Sequence, residues 1–232
     1  MRVEEIICLA ILPEEVAAGI AYACRSLDYT FDRMNYGADF GRRFNKIATG
    51  KTCEATLTRF LRQHAIPHLS REGATPHTQP DRFDLRILNE VVDLKTFHLP
   101  EAVAQPAAML TCLALVPSQQ GHDQWSKRQR YQRYVFGFSK GRLRGRIALA
   151  AGRRKLATLT PEMVRLTSSP SHLFLAAAPT VAECEQRFRR LAAGTICPQY
   201  PRGTRIENHG CEIAQLTSFQ NFLDNLEKFQ RR

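Results

Sequence analysis

The segment Asp84-Leu85-Arg86-Ile87-Leu88-Asn89-Glu90-Val91-Val92-Asp93-Leu94-Lys95 gathers two carboxylates and a lysine into one short stretch. Apolar residues alternate through it, which predicts two strands of a hairpin with Asn89-Glu90 at its tip. In that register Leu85 faces Leu94 and Ile87 faces Val92, so one face is apolar. The other face then carries Asp84 across from Lys95 and Arg86 across from Asp93. Carboxylate oxygens are the ligands a hard divalent cation such as Mg²⁺ takes, and an ammonium beside them stabilises negative charge that develops during hydrolysis. The plainer alternative is a hairpin with two cross-strand ion pairs, each worth roughly 0.2–1 kcal/mol.

Asp93-Leu94-Lys95 resembles the second half of the signature of the PD-(D/E)xK nuclease superfamily, which includes many type II restriction endonucleases and DNA-repair nucleases. For the first half the sequence offers a literal Pro80-Asp81 and also Asp84. Asp81 falls on the face opposite Asp93 and Lys95 if the strand runs through it, whereas Asp84 falls on the same face, so Asp84 is the expected carboxylate. The superfamily often places a glutamate on a preceding helix, and Glu54 stands on the stripe shared by Leu57 and Leu61.

The resemblance covers about 52–97. It implies an α/β fold of the restriction-endonuclease type, a mixed central sheet flanked by helices. One domain over 1–232 is expected, with a catalytic core of about 52–150 and helical N- and C-terminal parts packed on it. It further implies Mg²⁺-dependent hydrolysis of phosphodiester bonds in double-stranded DNA. Asp84, Asp93 and the carbonyl of Leu94 would hold the ion, while Lys95 would orient or help deprotonate the attacking water. A type II restriction endonuclease cutting a specific sequence as a homodimer is the leading expectation, because symmetric cleavage needs two copies of the site. A repair or junction-resolving nuclease of the same superfamily, and a non-catalytic nucleic-acid-binding protein, are the alternatives.

The charge supports a polyanionic partner. The 232 residues carry 33 basic and 22 acidic side chains, a net charge of +11. Nearly all of that excess lies in 121–160, where eleven basic residues meet one acid, Asp123. Lys127, Arg128, Arg130 and Arg133 interleave with Trp125, Tyr131 and Tyr134, so cations can neutralise phosphates while rings pack on a sugar or base. Arg142, Arg144 and Arg146 alternate along a predicted strand and share one face, either a phosphate track or the solvent side of a sheet.

Around these residues the pattern predicts helices over 14–27, 53–64, 119–134, 181–193 and 213–229, with a basic, glycine-containing segment over 36–51. Strands are expected over 108–116 and 172–178, and over 134–138 and 144–150 as a pair around Lys140-Gly141. Gly50-Lys51-Thr52 is no phosphate-binding P-loop, because Asn45 occupies the place of the required upstream glycine. Seven cysteines, odd in number and without a C-x-x-C pair, read as reduced, mostly buried thiols of a cytoplasmic protein. His64 and His68 are separated by Pro67, which spoils a helical zinc pair. The apolar run Ile6 to Leu12 is too short for a bilayer and follows Glu4-Glu5, so neither membrane insertion nor secretion is expected.

Overall fold

A computed structural model describes residues 1–31, 40–70, 85–100, 103, 105–147 and 159–230. The chain begins with strand β1 (Ile7–Ala10), then two long helices, α1 (Pro13–Phe31) and α2 (Phe40–Gln63). Three strands follow, β2 (His68–Ser70), β3 (Leu85–Ile87) and β4 (Glu90–Leu99). Next come α3 (Pro106–Met109), β5 (Leu113–Pro117), β6 (Arg133–Lys140), β7 (Arg144–Ile147), β8 (Val164–Ser168) and β9 (His172–Ala177). The chain continues through α4 (Val181–Arg187), β10 (Arg189–Leu191), β11 (Asn208–Glu212) and α5 (Phe219–Gln230).

Six strands form the main sheet in the order β1-β9-β6-β4-β3-β2. The β4–β6 pair is parallel and the other pairs are antiparallel, so the sheet is mixed. Its two faces bury separate apolar clusters. On one, Leu85, Ile87, Val92, Val135, Leu173 and Leu175 pack against α1, α2 and α5. On the other, Tyr134, Phe136, Phe138 and Phe174 pack against Met109, Val116, Val181 and Ile213. That second face is covered by a three-stranded sheet, β10-β11-β5, together with the short helices α3 and α4. The α/β class and the mixed, helix-flanked sheet are thus present, with helices covering one face and a small sheet sharing the other.

Two devices fix α1 against α2. Glu15, only 5% exposed, accepts from Leu12 N (2.8 Å), Thr56 Oγ1 (2.8 Å) and Arg59 Nε (2.6 Å), so one buried carboxylate is satisfied from both helices. Farther along, Gly19 lets the backbones approach. A Cβ there would lie 2.3 Å from Thr52 Oγ1 and 2.5 Å from the Ala48 carbonyl.

Several predicted elements are corrected. The helix predicted over 53–64 starts earlier, because Phe40 to Lys51 of the basic, glycine-containing segment is already the first half of α2, burying Phe44 and Ala48. The helix predicted over 119–134 reduces to one 3₁₀ stretch, Trp125–Arg130, and the chain is extended from Arg133. β6 and β7 do not pair with each other. β6 is held between β4 and β9, while β7 pairs with β8 in a separate two-stranded ribbon. The helix over 181–193 ends at Arg187 and gives way to β10, and the C-terminal helix starts at Phe219.

Candidate functional site

The β3–β4 hairpin has the predicted faces but a different register. Leu85 pairs with Val92, Arg86 with Val91 and Ile87 with Glu90, so the turn is Leu88-Asn89. The shift is two residues, which preserves parity, and Leu85, Ile87 and Val92 are all buried on the apolar face. Its cause lies in the neighbouring strand. The Arg133 guanidinium grips the Glu90 carboxylate, and Gln132 holds Val91 from both directions: its side chain accepts from Val91 N at 2.7 Å and its N–H donates to Val91 O at 2.9 Å. Glu90 is thereby drawn into β4, and Leu88 takes the turn with φ 51°, a left-handed conformation that a branched apolar residue adopts at a cost.

The expected pair of Arg86 with Asp93 is therefore not formed across the strands. Lys95 supplies the partner instead, with Nζ 2.6 Å from Asp93 Oδ2. Asp93 and Lys95 pair across the parallel ladder with Tyr134 and Phe136 and share that face of the sheet. Asp93 is only 3% exposed, whereas the Lys95 side chain keeps 17%. Tyr134 lies close by: burial first, then the Asp93 carboxylate, push its phenol far above the usual range. Its hydroxyl is buried with no hydrogen-bond partner among the described residues.

Asp84, the other expected carboxylate, lies outside the described residues, as do Pro80 and Asp81. Glu54 reaches β4 from the opposite side. It is 5% exposed, and its Oε2 accepts from Lys51 Nζ at 2.6 Å. Both residues line a cleft of about 250 Å³ with Tyr22, Lys46, Gly50 and Leu94, and Lys51 Nζ lies 4.7 Å from the centre of the Tyr22 ring. Leu94 packs on the α1–α2 cluster, so the strand alternation puts Glu54 and Leu94 on one face and Asp93 and Lys95 on the other. Neighbouring Cys53 is fully enclosed, and burial pushes its thiol up to about 12, which leaves it inert.

The donor types suit a hard cation: the Asp93 carboxylate and the Leu94 carbonyl are oxygen ligands on one strand. Among the described residues β4 is joined to β3 through Glu90–Val92. No three His, Cys, Asp or Glu side chains gather as a ligand set among the described residues.

The basic block divides into two kinds of side chain. Arg133 is structural: besides Glu90 it donates to the Ala178 carbonyl and lies 4.3 Å from the Phe222 ring centre. Arg128 is likewise engaged, donating to Glu185 at 2.7 Å and lying 4.8 Å from the Trp125 ring centre. Lys127 and Arg130 are exposed. The interleaved aromatics all pack toward the core. Trp125 stacks on His209 (4.9 Å, 11°) and Phe188 (5.4 Å), Tyr131 packs partly buried on the core, and Tyr134 is fully buried. Arg142 and Arg144 are exposed at the ribbon, joined by Arg146 and by Arg165, which the sequence reading passed over. Arg153, Arg154 and Lys155 lie outside the described residues.

All seven cysteines are free, with only Cys8 exposed. Among the described residues no helix is long and apolar enough to cross a membrane. No protein-family model, no curated protein and no solved structure matches the chain.

Proposed function

We propose that the protein is a Mg²⁺-dependent endonuclease of the PD-(D/E)xK type that hydrolyses phosphodiester bonds in double-stranded DNA. The observation that carries this reading is the buried Asp93 with Lys95 at 2.6 Å, set on one face of a central strand in a mixed sheet. Burying a charge is costly unless it is paired and hydrogen-bonded, and Asp93, 3% exposed, has Lys95 as that partner, so the two charges are held together in one fixed arrangement.

In this reading Asp93 and the Leu94 carbonyl would hold Mg²⁺, with Asp84 as the second carboxylate that the resemblance assigns. The ion would supply Lewis-acid neutralisation of the phosphate charge. Lys95, tethered by Asp93, presents a fixed ammonium to a phosphate oxygen and stabilises charge that grows as the bond breaks. Glu54, the helix glutamate of the resemblance, and Lys51 line the cleft on the other face of β4, so they take no part at Asp93 and Lys95 in this reading. Cleavage at one specific duplex sequence by a homodimer, in the manner of a type II restriction enzyme, is the leading form of the proposal.

The test is incubation of the purified protein with long duplex DNA, with and without Mg²⁺, beside Asp93→Ala and Lys95→Ala. Discrete metal-dependent fragments, lost in both variants, are expected. Cleavage confined to branched or damaged DNA would replace restriction by repair or junction resolution. Intact DNA on every substrate, with binding retained, would overturn the enzyme and leave a binding protein.

A further inference from the structure

The two-stranded ribbon β7–β8 carries a run of arginines that the candidate site leaves unused. Its register pairs Arg146 directly with Arg165, and Arg144 with Ser168 past an irregularity in the ladder. Arg144, Arg146 and Arg165 therefore project from one face, and all three are exposed, with Arg142 exposed just before the strand. Among the described residues none of the four has an acidic partner within ion-pair distance. Two like charges directly opposite on adjacent strands repel, so this face is tense until an anion lies on it.

The opposite face of the ribbon is seated on α2. Gly145 N donates to Asn45 Oδ1 at 2.8 Å, and a Cβ at Gly145 would meet Val164 at 2.6 Å and the Phe44 ring at 3.2 Å. The Thr167 and Ser168 hydroxyls donate to the Arg144 and Arg142 carbonyls at 2.9 and 2.8 Å, which ties β8 to β7 at the irregular end. The arginines thus stand on a fixed platform. The seat at Asn45 lies roughly 14 Å along α2 from Glu54 in the cleft, the span of about four phosphates of one strand.

We infer that the β7–β8 ribbon is the part of this protein that grips duplex DNA, its exposed arginine face entering the major groove. The inference rests on the nuclease reading only for the purpose of the grip, since the ribbon's charge and geometry are independent of Asp93 and Lys95. A B-form major groove admits a two-stranded ribbon, whereas the deep, narrow major groove of duplex RNA does not. Guanidinium groups suit the task because their fork matches phosphate oxygens and the guanine edge.

The experiment is fluorescence anisotropy of a labelled DNA duplex in EDTA, where a metal-dependent nuclease cannot cut, titrated with the full chain over a series of salt concentrations. Variants are Arg144→Ala, Arg146→Ala, Arg165→Ala and the triple, with Arg189→Ala on exposed β10 as the control. Each ribbon variant is expected to weaken binding about five- to tenfold, and the triple to lower the salt slope by about 2–3, while the control stays near wild type. Duplex RNA of the same sequence is expected to bind less tightly than the DNA. A triple variant with wild-type affinity and slope overturns the inference, as does equal affinity for the RNA or absence of DNA binding by the wild type. The two readings fail separately: ribbon variants that lose binding in a protein that never cuts DNA uphold the grip and sink the nuclease, whereas a triple variant that cuts and binds normally does the reverse.

Discussion

Lys95 Nζ lies 2.6 Å from Asp93 Oδ2 on a face of β4 whose neighbours across the ladder are Tyr134 and Phe136. One strand supplies both charges, so the pair needs no second segment to form. Removing the lysine strands a carboxylate that is 3% exposed. Lys95→Ala should cost about 1–3 kcal/mol of stability, below the figure for a fully enclosed pair because the lysine still reaches water. Replacing both partners, Asp93→Asn with Lys95→Met, should be closer to wild type than the single change, a coupling that a double-variant cycle in urea reads directly. Equal stability of Lys95→Ala and wild type would show that water already solvates Asp93.

A second expectation concerns the helix crossing that shapes the cleft. At Gly19 any side chain enters the space of Thr52 Oγ1 and of the Ala48 carbonyl. The hydroxyl can be removed, but the carbonyl is backbone and cannot yield without moving α2. Gly19→Ala should therefore destabilise by about 1–3 kcal/mol through overpacking. Adding Thr52→Ala should recover only part of the loss. Thermal unfolding of the three variants checks this, and full recovery in the double variant would show that the helices adjust freely.

The sheet strands around the site were legible because parity is robust. A two-residue register shift leaves Leu85, Ile87 and Val92 on the buried face, so alternation identified the apolar side even with the turn misplaced. The shift itself was not legible, since it depends on Arg133 holding Glu90 from a strand more than forty residues away. The aromatic-basic segment misled for a related reason. Trp125 and Tyr134 have the composition of a base-stacking surface, but β11 and α4 supply His209 and Cys184 as core neighbours that no local pattern reveals. Glu54 was found by its helix stripe, yet a stripe does not tell which face of the sheet its helix covers. The pairing of Arg146 with Arg165 required knowing that β7 turns to β8 and not to β6, a choice between tertiary partners that alternation leaves open.

The last expectation uses His98 as a reporter of the arginine face. Its Nδ1 lies 3.2 Å from the Gly141 carbonyl, and burial first, then Arg142 and, more weakly, Arg144, hold its pKa below the ordinary 6.5, against the pull of the backbone carbonyls. The folded protein thus resists protonating a ring that the unfolded chain protonates readily. The associated stability is complete above about pH 6.5 and is lost as the pH falls from there through the folded value. Arg142→Ala removes the largest charge contribution, so the His98 titration should move upward toward 6.5 and the acid loss of stability should shrink. Phosphates bound along the ribbon would neutralise the same arginines, so duplex DNA should shift His98 in the same direction. Ring-proton NMR titrations of wild type, Arg142→Ala and the DNA complex measure all three. A His98 value unmoved by DNA, in a protein that binds it, would place the duplex away from Arg142.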